Sequence, residues 1–218
     1  MTAFPGSPRL VKGGIVLIDA VSAAIQRMIV LQYNPDSLSR TLQVQAMPDA
    51  ADRSQAMRIR GPAVETLKLE VTIDATDQVE FPDQNRNAVD FGILPQLAAL
   101  ETMVYPASST LISNNALADA GTLEIAPMEA PLALFIWSKS RILPVRITEL
   151  SVTEEAFDPA LNPIRAKVSL GLRVLSVDDL GFAHKGGNLF MGYLQAKEQL
   201  AAKVSGAALS SLGIGGLP

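Results

Sequence analysis

The chain has no cysteine and a single histidine among its 218 residues. Disulfides, thiolate metal sites and a cysteine nucleophile are therefore excluded. With one histidine, a zinc site of the His or Cys type cannot be assembled either. Charge is also scarce. Asp, Glu, Lys and Arg make up 18% of the residues, against about 25% in an ordinary soluble domain. The 18 basic and 22 acidic residues leave a net charge of −4, which argues against a basic field for nucleic acid. No apolar run approaches the ~18–20 residues of a membrane span. The first, Ile15 to Ile18, stops at Asp19 and is too short for a signal-peptide core. The uncharged stretch Val204 to Pro218 is rich in Gly and Ser and reads as a flexible tail.

What the chain has is apolar residues, 48% of the total. Either the core is unusually large or part of the apolar surface serves partners, and the second reading is preferred. The local patterns are mostly those of strands. Leu10 to Ile18 is β-rich with a bend at Gly13-Gly14. Arg27 to Tyr33 reads as a strand that stops at the turn signal Asn34-Pro35-Asp36. Arg40 to Ala46 alternates. In Thr66 to Asp74, Leu67, Leu69, Val71 and Ile73 share one face and Lys68, Glu70 and Thr72 the other, the pattern of a half-buried antiparallel strand. Leu132 to Trp137, Leu143 to Thr153 and Arg165 to Val174 follow, the last two joined by a turn-rich loop.

Two helices are expected. Val89, Ile93, Leu97, Leu100 and Val104 form one apolar stripe, with Pro95 marking an uninterrupted start. A terminal helix over about 189–204 places Phe190, Leu194, Leu200 and Val204 near one face, with Lys197 and Glu198 away from it. Residues 47–63 and 106–130 are expected to be long connections, a length that is usually functional or disordered. About seven strands and two helices predict a mainly β (α+β) fold, an antiparallel β-sandwich or partial barrel with one flanking helix and a C-terminal helix.

No reactive constellation emerges. His184 has no serine in a nucleophile-elbow motif to serve and reads as a loop histidine before a helix. Asp74, Asp77, Glu80 and Asp83 lack the glycine and closing glutamate of a calcium loop. Glu154 and Glu155, as strand neighbours, would face opposite sides and could not flank one bond. Gly13-Gly14, Gly186-Gly187 and Gly213 to Gly216 fit no phosphate-binding motif. Arg53, Arg58 and Arg60 form a local basic cluster. It reads first as a solvated loop and otherwise as a dock for an acidic surface of a neighbouring subunit, since no aromatics interleave for nucleic acid. The expectation is a structural or binding protein, not an enzyme, with no cofactor and no metal.

Several segments together carry a resemblance. They are LQYNPDSLSR at 31–40, ETLKLEVTID at 65–74, GILPQLAALETMVYP at 92–106, PLALFIW at 131–137, and the stretch 142–175 with its FDPALNPIRA loop. Over about 10–178 the chain resembles the tube-related baseplate proteins of contractile injection systems, the relatives of R-type pyocins, antifeeding prophages and myophage tails. The resemblance implies a tail-tube fold in a hexameric ring. It implies a place in the baseplate hub as a tube-initiator adaptor, joining the spike to the inner tube. The expected organisation is a flexible arm at 1–8, a tail-tube-like domain at 9–178, and a C-terminal helix with a Gly/Ser-rich tail at 179–218, where many members carry a LysM module.

The implied partners are other copies of the chain, the inner tube protein, the spike protein and other baseplate components. Nucleic acid and a membrane span are not expected. The implied location is the bacterial cytoplasm, with assembly into phage-tail-like particles and their release left open. On this reading the polar faces of 66–74 and 165–174, with Lys68, Glu70, Arg165, Lys167 and Arg173, line the lumen or pack subunit to subunit. The two long connections would contact the ring above or below. The alternatives are an inner tube subunit or tube-end cap of the same machine, or a β-sandwich ligand-binding domain with Trp137 in its core. A hydrolase with an unrecognised site is the least favoured.

Overall fold

A computed structural model describes residues 11–19, 22–46, 58–121, 131–204, 206 and 211. The 1–8 arm, Arg53 and most of the Gly/Ser tail lie outside the described residues. Among the described residues there are seven strands: β1 (Gly14–Ile18), β2 (Ile25–Val30), β3 (Leu38–Gln43), β4 (Val64–Asp74), β5 (Leu132–Ser138), β6 (Arg141–Phe157) and β7 (Pro163–Val174). Among them run helices α1 (Thr76–Val79), α2 (Arg86–Phe91), α3 (Leu94–Glu101), α4 (Ser108–Asp119), α5 (Val177–Leu180) and α6 (Lys185–Ala201). The strands form one unclosed sheet in the order β2-β1-β5-β6-β7-β4-β3, and every pairing is antiparallel.

The 17-residue β6 explains the shape. Its first residues, Arg141 to Val145, pair with β5, and from Val145 to Phe157 it pairs with β7. Only Val145 has a partner on both sides. The strand thus passes from one half-sheet (β2-β1-β5) into another (β6-β7-β4-β3). Two bulges, with Thr148 and Glu155 as the extra residues, bend and twist it. Gly171 lies opposite the first bulge. A Cβ there would sit 3.0 Å from Glu149 Cβ and 3.2 Å from Thr148 Oγ1, closer than ordinary packing allows.

The sheet curls back on itself. The Gln32 side chain, just beyond β2, donates to Asp74 O (2.6 Å) and accepts from Asp74 N–H (2.9 Å) at the end of β4. These strands are far apart in the sheet order, so one side-chain amide holds the curl where backbone pairing does not. The core lies inside it. Ile15, Leu17, Phe135 and Leu143 come from the first half-sheet, and Leu67, Leu69, Val71, Val168, Leu170 and Leu172 from the second. Ile93, Leu97 and Leu100 from the α3 region join the same cluster. Pro95 falls in the first turn of α3, as the sequence predicts. Arg27 donates to Ala99 O (3.1 Å) near the end of that helix, where carbonyls lack intrahelical partners. Trp137 is half-buried against the core and stacks on Phe135, ring centroids 5.9 Å apart.

Three expectations need correction. The stripe of 89–104 does not lie along one helix, since Gly92 separates α2 from α3, and Val89 and Val104 at its ends are exposed. The connection 106–130 is not structureless, since Ser108–Asp119 forms α4, a helix with no buried residue. The packed face of the terminal helix also differs. Phe190 and Tyr193 are buried and Leu194 half-buried, while Leu200 and Val204 are exposed. Lys197, expected to point away, turns in to Glu65 at 2.8 Å. His184 caps α6, its Nδ1 accepting from Gly186 N–H at 3.1 Å.

Candidate assembly surface

In the second half-sheet the pleat sorts residues onto two faces. The inner face carries Leu67, Leu69, Val71 and Ile73 of β4 and Ala166, Val168, Leu170 and Leu172 of β7, all buried. The outer face is mainly polar, with Val64 and Ala156 as its apolar members. Register places Ser39, Lys68, Gly171 and Glu149 in one row across the four strands. Glu70, Ser169 and Ser151 make the next row, and Thr72, Lys167 and Thr153 the one after. Four of the residues singled out from the sequence, Lys68, Glu70, Arg165 and Lys167, are therefore brought together on one exposed face.

That face is internally paired. Lys68 Nζ lies 3.7 Å from Glu149 Oε2. Glu155 meets Lys167 Nζ at 2.8 Å and Arg165 Nε at 3.3 Å, and Arg165 also lies 3.8 Å from Asp74. The hydrogen bond from Lys167, aided by the charges of Lys167 and Arg165, holds the Glu155 carboxyl below its usual range. The same bond raises the Lys167 ammonium. For Asp74, partial burial pushes the carboxyl up. Hydrogen bonds from the Thr76 hydroxyl and N–H, with Arg165, outweigh it and leave the group lowered. Glu155 reaches this cluster because it is the extra residue of a bulge, which re-aims a side chain.

Arg173 stands at the end of the same face, half-buried, and bonds Asp179 at 2.7 Å. Arg58 and Arg60 do not join the cluster. They flank Ile59, which bridges to Ala46, and both are exposed on the β3–β4 connection. The pairing of Lys68, Arg165, Lys167 and Arg173 with Glu149, Glu155, Asp74 and Asp179 escaped the sequence reading, because cross-strand register cannot be read from alternation alone. Glu65 escaped it too, although the signal was present. It occupies the apolar phase of β4 with 67, 69, 71 and 73, and a charge there demands a partner. The carboxylate is 3% exposed and accepts from Tyr193 Oη (2.9 Å) and Lys197 Nζ (2.8 Å).

The edges of this half-sheet are open. Among the described residues, no strand pairs with the outer side of β3, nor with the side of β6 beyond Val145 that faces away from β7. An unpaired edge is a row of backbone donors and acceptors ready for another strand. Strands of other subunits can be added to such edges.

A family model described as contractile injection system tube protein matches residues 18–179, from the end of β1 into α5. The chain belongs to the contractile injection system tube protein family. None of the curated proteins compared with the chain matches it. Among the described residues, no helix is long and apolar enough to cross a membrane.

Proposed function

We propose that copies of this chain close into a hexameric ring, with β3 of one copy laid along the free side of β6 in the next. Each copy would contribute the four strands β3-β4-β7-β6. Six copies would give roughly 24 strands, more than the 16–18 at which barrels already enclose an aqueous channel. The inner faces stay in the subunit cores, and the polar face carrying Lys68, Glu70, Arg165 and Lys167 lines the lumen. The observation that carries this reading is the coincidence of an uncovered, mainly polar sheet face with two unpaired edges in the same four strands. The role is structural, without catalysis.

The finer placement is the baseplate hub, as the adaptor that joins the spike to the inner tube. It is supported by the resemblance of the sequence segments to tube-initiator proteins. Inner tube subunit is the second reading, favoured by the family's own description. Assembly then takes place inside the bacterial cell, on phage-tail-like particles. The test is to tag the protein in its own bacterium, purify it gently, and combine electron microscopy with mass spectrometry. A tag at one end of particles carrying sheath, tube and spike proteins is the expected result. A tag along the whole tube would make the chain a tube subunit. A lone protein without such partners would sink the ring reading.

A further inference from the structure

The turn between β6 and β7 is held more firmly than a simple reversal requires. Asp158 N–H donates to Asn162 O (2.9 Å). The Asp158 carboxylate accepts from the N–H groups of Ala160 and Asn162 (2.8 Å each) and from Asn162 Nδ2 (2.9 Å). The turn is also fixed to the α2–α3 junction. Asn162 Nδ2 donates to Asp90 O (3.2 Å), and Ile93 N–H to Pro163 O (2.8 Å). Gly92, at φ +57°, lies against this junction, where any Cβ would overlap the Pro163 carbonyl oxygen.

Within this rigid turn Leu161 has φ +68°. Glycine or asparagine takes that conformation readily, and a branched apolar residue does so only under strain. The Leu161 side chain is also 79% exposed, more than any other large hydrophobic among the described residues. The residue is thus unfavourable twice over in the free subunit, and a Gly or Asn would relieve both costs. Strain of this kind persists where it serves binding. Phe157 in the same hairpin is half exposed. The one charge of the tip, on Asp158, is already taken up by the turn's own hydrogen bonds.

The geometry points to Leu161 as a preformed apolar knob that seats in an uncharged socket on a subunit of the next tube ring. This rests on the ring reading. In a closed sheet the strand edges meet neighbours within the ring, while hairpin tips form the rim on which another ring stacks. A tip with no free charge calls for an apolar socket, not a charged one.

The test compares Leu161→Asn and Leu161→Met, tagged and expressed in place of the natural chain. Asn suits the left-handed conformation, so the purified variant is expected to melt at the same temperature or higher. It is expected to form rings but to retain at least about tenfold less tube protein, since every copy in the ring loses a buried leucine contact. Met keeps the apolar surface and is expected to restore most of the attachment. Rings of Leu161→Asn that hold tube protein at the natural level would overturn the knob and leave the ring reading standing. Natural chain that yields neither rings nor tube partners would overturn both. Tube attachment unchanged by Leu161→Asn, together with lost binding to phosphatidylcholine vesicles, would assign the tip to a membrane instead and likewise overturn the knob.

Discussion

The two half-sheets are built from the same kinds of residues and solve different problems. In β1 all five residues are buried. Ile15 and Leu17 enter the main core, while Val16 and Ile18 join Leu132 and Leu134 of β5 in a second cluster, against Leu180 and Leu189. β1 and the first part of β5 are thus covered on both faces by their own chain, whereas β2 beside them is exposed at five of its six residues. In β4 and β7 the pattern alternates, one face buried and the other left to solvent. A continuous apolar run needs cover on two sides, and the subunit supplies it. A strictly alternating strand needs cover on only one, which leaves its other face open.

The comparison is broken most sharply within β7. Leu170 is fully buried, and Leu170→Ala is expected to cost about 3 kcal/mol by urea unfolding, through lost transfer energy and the cavity left behind. Ser169, the next residue, points to the polar face, and Ser169→Ala is expected to stay within about 0.5 kcal/mol. Equal costs at the two positions would mean that the outer face is packed against something within the subunit.

A second, smaller effect tests a place within β4 where the two-face rule is violated. Glu65 sits in the apolar phase of β4, held by Tyr193, by Lys197, and more distantly by Arg40 at 3.9 Å. Lys197 also lies over the Tyr193 ring, 4.1 Å from its centroid. Glu65→Ala leaves a hydroxyl and an ammonium without their acceptor. The expected cost is about 2 kcal/mol in thermal melts, below the full value for a broken buried pair because Lys197 reaches water. Faster hydrogen exchange should appear in α6 and not in β1. If the loss were spread evenly over the molecule, Glu65 would not be the tether of that helix.

What could be read from the sequence follows the same division. The strict alternation of 67–73 and 168–174 showed which residues were inside, and the apolar run Leu132 to Trp137 was legible as a strand. The face holding Lys68, Glu70, Arg165 and Lys167 was legible for the same reason. The pairings across it were not, because register depends on the bulges at Thr148 and Glu155, which leave no period in the sequence. Helix α4 was missed because its serines and asparagines are typical of loops, and no buried stripe marks it. The terminal helix was found, but its packed face was misjudged. Tyr193 and Lys197, four residues apart, answer a buried charge on β4 and not an apolar stripe, so nothing within the helix announces them.

The smallest expected effect lies on the polar face itself. A carboxylate whose pKa is lowered on folding adds stability above its unfolded pKa, and that stability is lost as pH falls through the folded value. Glu155 is such a group, held down chiefly by the hydrogen bond from Lys167. Its contribution is present at neutral pH and fades below about pH 4.3, the ordinary glutamate value. Lys167 is the reverse case. Its raised pKa contributes below the ordinary lysine value of about 10.4 and is lost as pH climbs through the folded one. Glu155→Gln should therefore flatten both ends of a melting-temperature profile against pH, and added salt should shrink the difference, because exposed pairs are screened. The change should be far below that of Leu170→Ala. Charges that do so little for the subunit are free to serve the surface that a ring would present to its channel. An effect as large as the leucine deletion would mean that the polar face holds the fold together, and the contrast between the two half-sheets would disappear.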